Sequence, residues 1–433
     1  MDKKYRFSTK CVQSGYDPKN SEPRVLPIYQ STTYKYASTE EVGDLFDLKA
    51  PGHMYTRISN PTFEAVENKI ADLEGGVGAM LTSSGQAAVL ALTMNLCKAG
   101  ENFLASSEIY GGSINLMSAE FSRMGIEVRY FSPKEGAAEA EKLIDDKTRF
   151  IYGETIANPA LTVFDIEPYA ELAHKYGIPL CVDNTFATPY LCRPFEFGAD
   201  FVIHSTTKYM DGHAATVGGV VVDGGKFKFS PEKFPQFTEP CESYHGLVFQ
   251  DAFAPAGFIS RARCMVMRDL GITPAPMNAF LLNMGLETLP LRMERHCENA
   301  MKVAQFLASQ PKDKVKWVSY PGLEGDMQNA LARKYLKNEK GEFIGAAGVI
   351  SFGTAGGRDG AARVMDALKL AAIVVHVADA RTCVMHPASG THRQLTDEQL
   401  VRCGVAPEMI RFSCGIENAD DIIDDLKQAL TQL

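Results

Sequence analysis

The chain has 433 residues, of which 45% are hydrophobic and 22% are charged, and its formal net charge is -9. This composition excludes a largely disordered protein, and the length predicts two or three domains. A negative net charge provides no general attraction for nucleic acid or for anionic lipid. We therefore expect neither nucleic acid nor a membrane as a partner.

The ten cysteines are spread along the chain without a Cys-x-x-Cys pair, which is typical of reduced thiols and not of a disulfide framework. The spacing of His and Cys predicts no metal site. The first residues, Met1–Tyr5, do not form a basic segment followed by an apolar one, and no apolar run approaches the ~20 residues of a membrane helix. These features predict a cytoplasmic protein.

The first sixty residues are rich in polar and turn residues and have no regular period. Such a segment is either disordered or an arm that lies on something else. Regular structure is expected to begin at Asn60-Pro61, because Asn is a good N-cap and Pro suits the first helical position. Apolar residues then recur at helical spacing, and Gly75 predicts the end of this helix.

From there to about residue 222, short apolar runs alternate with helical stretches, one of which is expected from near Pro168 to Gly177. This alternation predicts an α/β fold whose central sheet is mostly parallel and is covered by helices on both faces. Ligands bind beyond the carboxyl ends of the strands in such a sheet. Strands are expected at residues 79–82, 102–105, 128–131, 150–152, 180–183, 201–204 and 219–222.

The pattern changes after about residue 255, where a long helical stretch is expected over residues 277–307. Strands are then expected at residues 317–320, 348–352 and 409–413, before a closing helix that places Ile422 and Leu430 on one face. This pattern predicts a smaller C-terminal α+β domain. The predicted organisation is thus an N-terminal segment over residues 1–60, an α/β domain over 61–255 and an α+β domain over 256–433.

Residues at three of the predicted strand ends are suited to binding or catalysis. Ser84-Gly85-Gln86 follows one strand and opens a helix, and N–H groups at a helix N-terminus bind anions, although most such turns are only turns. Asp183 ends another strand, where it either caps a turn or holds a ring nitrogen protonated. Lys208 follows the next strand in Ser205-Thr206-Thr207-Lys208. It is either an exposed loop residue or a desolvated amine suited to Schiff-base chemistry.

Taken together, an anion-binding turn, a carboxylate and a lysine at strand ends are what pyridoxal 5'-phosphate (PLP) requires. Lys208 would form the Schiff base and Asp183 would keep the pyridine ring an electron sink. Ser205 and Thr207 could each give a hydroxyl to the phosphate.

Several segments occur in the order seen in one family of PLP enzymes. These are Tyr55-Thr56-Arg57-Ile58-Ser59-Asn60-Pro61-Thr62, Glu154-Thr155-Ile156-Ala157-Asn158-Pro159, Asp183-Asn184-Thr185-Phe186-Ala187-Thr188-Pro189-Tyr190, Ser205-Thr206-Thr207-Lys208-Tyr209-Met210-Asp211-Gly212-His213 and His386-Pro387-Ala388-Ser389. With them the chain resembles the cystathionine γ-synthase-like enzymes of Cys and Met metabolism, from about residue 14 to its end. The resemblance implies the type I fold of PLP-dependent transferases.

Within that family the chain is most similar to the O-acetylhomoserine sulfhydrylases. It has the insert Tyr244-His245-Gly246, and it has Gly112 where methionine γ-lyases often carry Cys. The resemblance implies γ-replacement on O-acetyl-L-homoserine by sulfide or methanethiol, giving homocysteine or methionine plus acetate in methionine biosynthesis. The alternative is a methionine γ-lyase or homocysteine desulfhydrase, which forms 2-oxobutanoate, ammonia and a thiol. A non-catalytic PLP-binding protein is a third reading.

The same resemblance assigns roles to individual residues. Lys208, Asp183 and Tyr110 would be catalytic, with Tyr110 stacked on the cofactor ring. Asn158 would hydrogen-bond its phenolic oxygen. The cofactor-binding set implied is Tyr55, Arg57, Gly85, Gln86, Tyr110, Asn158, Asp183, Ser205, Thr207 and Lys208.

Substrate binding is implied for Arg411, which would hold the carboxylate, and for Tyr55 and His376. His376 departs from the family, because His-Val-Ala-Asp stands where sulfhydrylases usually show Asn-Val-Gly-Asp. Tyr55 and Arg57 would reach the phosphate of a neighbouring subunit. The resemblance therefore implies a homotetramer, built as a dimer of dimers with shared active sites, in which residues 1–60 form an arm on the neighbouring subunit.

Overall fold

The structure, a computed structural model, describes residues 5–390, 393, 400 and 404–433. Nine cysteines in these residues are free thiols, and Cys403 lies outside them. In the described ranges, no group of His, Cys, Asp and Glu side chains could hold a metal ion. No helix found there is long and apolar enough to cross a membrane.

The larger sheet has seven strands in the order β1-β7-β6-β5-β4-β2-β3. Five neighbouring strands, from β6 to β3, run parallel, and β7 is antiparallel to both of its neighbours. Each predicted strand of this region is confirmed, and the apolar side chains are buried except on the edge strand β3, where Val128 and Tyr130 are half-buried. The strands are β1 (Gly78–Thr82), β2 (Asn102–Ser106), β3 (Glu127–Phe131), β4 (Thr148–Glu154), β5 (Leu180–Asp183), β6 (Phe201–His204) and β7 (Gly219–Asp223).

The predicted first helix of this region is confirmed. The residues at its two ends explain why its bounds could be predicted from the sequence. Asn60 Oδ1 accepts the Thr62 N–H at 2.9 Å, and Gly75 ends the helix with φ 81°. The helices up to residue 270 are Phe7–Gln13, Thr39–Phe46, Pro61–Glu74, Gly85–Leu96, Gly111–Asn115, Ala137–Glu141, Ile166–Lys175, Thr188–Leu191, Pro235–Thr238, Phe249–Ala252, Gly257–Arg261 and Arg268–Leu270. Residues Leu116–Phe121 and Ala262–Met267 are π-helical, and Pro194–Phe197, Glu242–Tyr244 and Leu430–Gln432 are 3₁₀-helical.

The second sheet has the strand order β10-β11-β12-β9-β8. Its strands are β8 (Val315–Ser319), β9 (Val349–Thr354), β10 (Ala372–Ile373), β11 (Cys383–Met385) and β12 (Met409–Ser413), with helices Asn329–Tyr335, Gly357–Ala367 and Ala419–Ala429. The sequence predicted β8, β9 and β12 but missed β10 and β11. These two have only two and three residues, too few to show a period.

One predicted helix is wrong in its continuity. The stretch expected over residues 277–307 is two helices, Pro276–Glu287 and Leu289–Ala308, which meet at Thr288. Pro290 explains the break, because it has no N–H for the carbonyl of the preceding turn and is tolerated only in the first turn of a helix.

From residue 5 onward, the first part of the N-terminal segment packs on its own subunit. Phe7 and Cys11 are buried, and the Phe7 ring centroid lies 5.5 Å from that of Tyr190. Lys10 Nζ lies 2.6 Å from Asp72 Oδ1 on helix Pro61–Glu74. The crossing of this segment onto a neighbouring subunit stays a prediction.

Candidate active site

A cavity of about 200 Å³ lies where β4, β5 and β6 end. Arg411, on β12 of the second sheet, also lines it. Parallel strands bring their carboxyl ends to one edge, so residues that are distant in sequence meet there. Ten predicted site residues line this cavity: Gly85, Gln86, Tyr110, Asn158, Asp183, Ser205, Thr207, Lys208, His376 and Arg411.

Lys208 lies in the turn after β6, with its Nζ 3.5 Å from His376 Nδ1. Burial, with a smaller contribution from the Arg411 charge, lowers the pKa of Lys208 to about 8. A substantial share of the amine is therefore neutral near physiological pH, which is the form that attacks a carbonyl or takes a proton.

Asp183 ends β5 with its carboxyl group turned into the cavity. Its Oδ1 accepts the Thr185 N–H at 3.0 Å, and the Tyr152 hydroxyl donates to Oδ2 at 3.2 Å. Burial raises the pKa of Asp183 in spite of these bonds. A cationic partner, such as a protonated ring nitrogen, would therefore stabilise the ionised carboxylate.

The predicted anion-binding turn opens helix Gly85–Leu96, where Ser84 Oγ accepts the Ala87 N–H at 3.1 Å. A Cβ added to Gly85 would lie 2.7 Å from Ser205 Cβ, so only glycine lets these two turns approach. Gln86 Oε1 is buried and has no hydrogen-bond partner among the described residues. The N–H groups in the first turn of this helix and the close approach of the two turns fit a bound phosphate, whereas Gln86 Oε1 can only accept a hydrogen bond.

The Thr207 hydroxyl, a predicted phosphate ligand, already has hydrogen-bond partners in the protein. Its hydroxyl donates to the Gly218 carbonyl at 3.2 Å and accepts the Gly218 N–H at 3.1 Å. This hydroxyl lines the cavity, and its two hydrogen bonds also hold the loop before β7 in place.

Glu154, at the end of β4, also lines the cavity, and the sequence analysis predicts no role for it. Its Oε1 accepts the Tyr110 N–H at 2.7 Å, and its Oε2 accepts the Asn158 N–H at 3.3 Å. Burial, followed by the charge of Asp183, raises the pKa of Glu154. One signal was available in the sequence, because the residue ends an apolar run; the structure then pairs it in register with Asp183.

Arg411 reaches the cavity from β12. Its Nη2 donates to the His376 carbonyl at 2.8 Å, and its Nη1 donates to Asn158 Oδ1 at 3.2 Å. Burial lowers the pKa of Arg411, but a guanidinium remains charged at any relevant pH. This fixed cation, oriented by two neutral acceptors, is suited to bind a carboxylate.

Tyr55 and Arg57 do not line the cavity. Arg57 Nη1 donates to the Arg268 carbonyl, and the guanidinium carbon lies 5.2 Å from the Tyr55 ring centroid. Tyr55 is 39% exposed. Their predicted reach to the phosphate of a neighbouring subunit therefore stays a prediction.

The sequence model of the Cys/Met metabolism PLP-dependent enzymes matches residues 8–431. The chain belongs to this family. It is 42% identical to an O-acetyl-L-homoserine sulfhydrylase of Leptospira meyeri, in an alignment that covers 100% of this chain and 98% of that protein. It is 46% identical to a homocysteine/cysteine synthase of Kluyveromyces lactis, over 94% of this chain and 92% of that protein.

A solved structure shares the fold closely. It is a protein of Campylobacter jejuni described as an O-acetylhomoserine (thiol)-lyase, which carries N'-pyridoxyl-lysine-5'-monophosphate. The two chains superpose with a TM-score of 0.94 at 36% identity, covering 99% of this chain and 100% of the other. The chain is thus a PLP-dependent enzyme, and both the predicted cofactor and the predicted type I fold are confirmed.

Proposed function

We propose that the enzyme catalyses γ-replacement on O-acetyl-L-homoserine, with sulfide or methanethiol as the second substrate and acetate as the leaving group. The observation that carries this proposal is full-length similarity to sulfhydrylases and homocysteine synthases, joined to a cleft that contains Lys208, Asp183 and Arg411. The products would be homocysteine or methionine, which assigns the enzyme to methionine biosynthesis.

Asp183 and Lys208 have distinct tasks in this proposal. When bound, the cofactor supplies an electron sink for negative charge at the substrate α-carbon. Asp183 keeps that sink effective by holding the ring nitrogen protonated. Lys208, whose pKa is lowered to about 8, links to the cofactor and then removes the substrate α-proton as a neutral amine.

Arg411 and Asn158 orient the substrate. The Arg411 guanidinium binds the α-carboxylate through its two-pronged donor edge, and Asn158 supports it from the opposite loop. Arg411 and Lys208 line the same cavity, so a substrate whose carboxylate is bound by Arg411 is placed in the cavity that contains the Lys208 amine. Tyr110 and the turn at Gly85 and Gln86 hold the cofactor ring and phosphate.

The assembly and the compartment belong to the same proposal. Tyr55 and Arg57 lie on the surface of this subunit, which suits a contribution to the active site of a neighbour. In this proposal two subunits form a dimer with shared active sites, and two of these dimers form a homotetramer. The proposed compartment is the cytoplasm. Size-exclusion chromatography with light scattering distinguishes a tetramer from a dimer or monomer.

The test is to incubate the enzyme with O-acetyl-L-homoserine, with and without sulfide, and to separate amino-acid products from keto acids. We expect homocysteine and acetate in equal amounts when sulfide is present. If 2-oxobutanoate and ammonia remain the main products at saturating sulfide, elimination is the reaction and the proposal is wrong.

Lys208→Ala is the matching variant, because it removes both the covalent attachment and the base. We expect no measurable turnover, since general acid–base catalysis alone contributes about 10²–10⁴-fold. Lys175→Ala is the control, because Lys175 is an exposed surface lysine that contacts Glu141 at 2.6 Å. Normal turnover by Lys208→Ala would contradict the assignment.

A further inference from the structure

Tyr152 contacts Asp183 from inside the protein core. It belongs to β4, its side chain is 0% exposed, and its hydroxyl donates to Asp183 Oδ2 at 3.2 Å. Among the described residues, those that line the cavity include Asp183 but not Tyr152. Tyr152 therefore reaches the site through the Asp183 carboxyl group and not through the space that a cofactor would fill.

The register of two strands brings this hydroxyl to Asp183. β4 and β5 are parallel, with Tyr152 opposite Cys181 and Glu154 opposite Asp183. Side chains two positions apart on a strand point to the same face of a sheet. Tyr152, Glu154 and Asp183 therefore share one face of the larger sheet.

Two buried carboxyl groups compete for ionisation on this face. Burial, followed by the charge of Asp183, raises the pKa of Glu154, and burial also raises the pKa of Asp183. Because like charges disfavour each other, one group ionises at the expense of the other. The Tyr152 hydroxyl donates to Asp183, so it favours the ionised form of Asp183.

The Tyr152 hydroxyl is a donor at any relevant pH. Burial, and then the charges of Asp183 and Glu154, raise the pKa of Tyr152 well above its ordinary value, so the hydroxyl keeps its proton. The Thr185 N–H donates to the other oxygen, Asp183 Oδ1, at 3.0 Å, and the Thr185 hydroxyl donates to it as well. Each carboxylate oxygen thus has a donor from the protein, and these donors fix its orientation and stabilise its charge.

We propose that Tyr152 is a positioning residue of the cofactor site: its hydroxyl keeps the negative charge on Asp183, so that the proton between this carboxylate and the cofactor stays on the ring nitrogen. Without the hydroxyl, the carboxylate is a stronger base and takes a larger share of that proton. A ring that has lost its proton is a weaker electron sink. The inference rests on the role of Asp183 in the proposed function, and it holds for replacement and for elimination alike.

The experiment compares the PLP-loaded wild-type enzyme with Tyr152→Phe, which removes the hydroxyl and keeps the aromatic ring in the core. Tyr169→Phe is the matched control, because Tyr169 is 2% exposed and its buried hydroxyl has no hydrogen-bond partner among the described residues. Each variant loses one buried tyrosine hydroxyl, and of these two hydroxyls the one that contacts Asp183 is that of Tyr152.

The direct readout is solid-state NMR of the resting enzyme, loaded with PLP that carries ¹⁵N at the ring position. Free PLP at low and at high pH gives the chemical shifts of the protonated and the unprotonated ring. We expect the wild type and Tyr169→Phe to show the protonated ring, and Tyr152→Phe to move toward the unprotonated shift. Loss of a hydrogen bond to a charged group changes the ratio of the two proton positions by about tenfold.

Steady-state kinetics provide a second readout. Because Tyr152 acts on the electron sink and does not line the cavity, we expect kcat of Tyr152→Phe to fall about tenfold, with KM changed less than about threefold. Tyr169→Phe should keep the wild-type kcat and KM.

The outcomes separate this inference from the proposed function. An unchanged ring-nitrogen shift in Tyr152→Phe would overturn the inference even if kcat fell, because a packing defect also lowers kcat. An unprotonated ring in the wild type would contradict the role of Asp183 and the inference with it. If the ring nitrogen behaves as expected but the wild-type enzyme forms no homocysteine, the proposed γ-replacement fails and the role of Tyr152 stands.

Discussion

Replacing Glu154 by alanine tests whether one carboxyl group holds both loops that flank the cofactor ring. The two Glu154 oxygens accept the N–H groups of Tyr110 and Asn158, at 2.7 and 3.3 Å. Leaving a buried donor without a partner costs about 1–3 kcal/mol. Tyr110 is 44% exposed, so water can reach its loop, and we use the lower limit for each N–H. The expected total is about 2 kcal/mol.

This free energy appears as weaker cofactor binding, because the two loops are ordered for the ring by Glu154. About 2 kcal/mol corresponds to roughly a 30-fold rise in the dissociation constant of the cofactor. Glu154→Gln keeps one carbonyl acceptor but turns an N–H₂ group toward the other donor, so we expect a rise of about fivefold. Absorbance titration of stripped enzyme with PLP measures both constants.

Glu127→Gln is the control for these variants, because Glu127 is an exposed acid on β3 that pairs with Arg129. It should bind the cofactor as the wild type does. A Glu154→Ala enzyme with the wild-type dissociation constant would refute the reasoning, since the two loops would then be ordered without their shared acceptor. Urea unfolding of the stripped proteins would show whether a loss came from global instability.

Two further predictions concern charge. Arg411→Lys keeps the charge but loses the two-pronged donor edge, so we expect KM for the amino-acid substrate to rise about 10–100-fold with a smaller change in kcat, in steady-state kinetics. Burial raises the pKa of the Asp223 carboxyl group to about 7, so the folded state binds the carboxyl proton more tightly than the unfolded state does. Its contribution to the free energy of unfolding therefore falls as pH rises from about 4 to about 7, by at most ~4 kcal/mol for a shift of about three units. Asp223→Asn should show a smaller fall in urea unfolding over this range, and an equal fall would contradict the assignment.

The strand ends of the larger sheet were predictable because each carries its own local signal. A buried strand such as β5 or β6 is a nearly continuous apolar run, and a charged residue at its end or in the turn that follows is conspicuous. Asp183 and Lys208 both carry this signal in the sequence. Glu154 obeys the same rule at the end of β4, but a carboxylate whose partners are backbone N–H groups has no partner visible in the sequence.

The far wall of the cavity could not be derived in the same way. Arg411 meets Asn158, 253 positions earlier in the chain, and His376 meets Lys208 across 168 positions. No periodicity encodes such contacts, because they depend on how the second sheet packs against the first. Arg411 and His376 were predicted as site residues only through the resemblance to a family. That resemblance does not show that the imidazole lies between an amine and a carboxylate. The contacts of Arg411 with Asn158 and of His376 with Lys208 therefore follow from tertiary packing, which no local pattern in the sequence encodes.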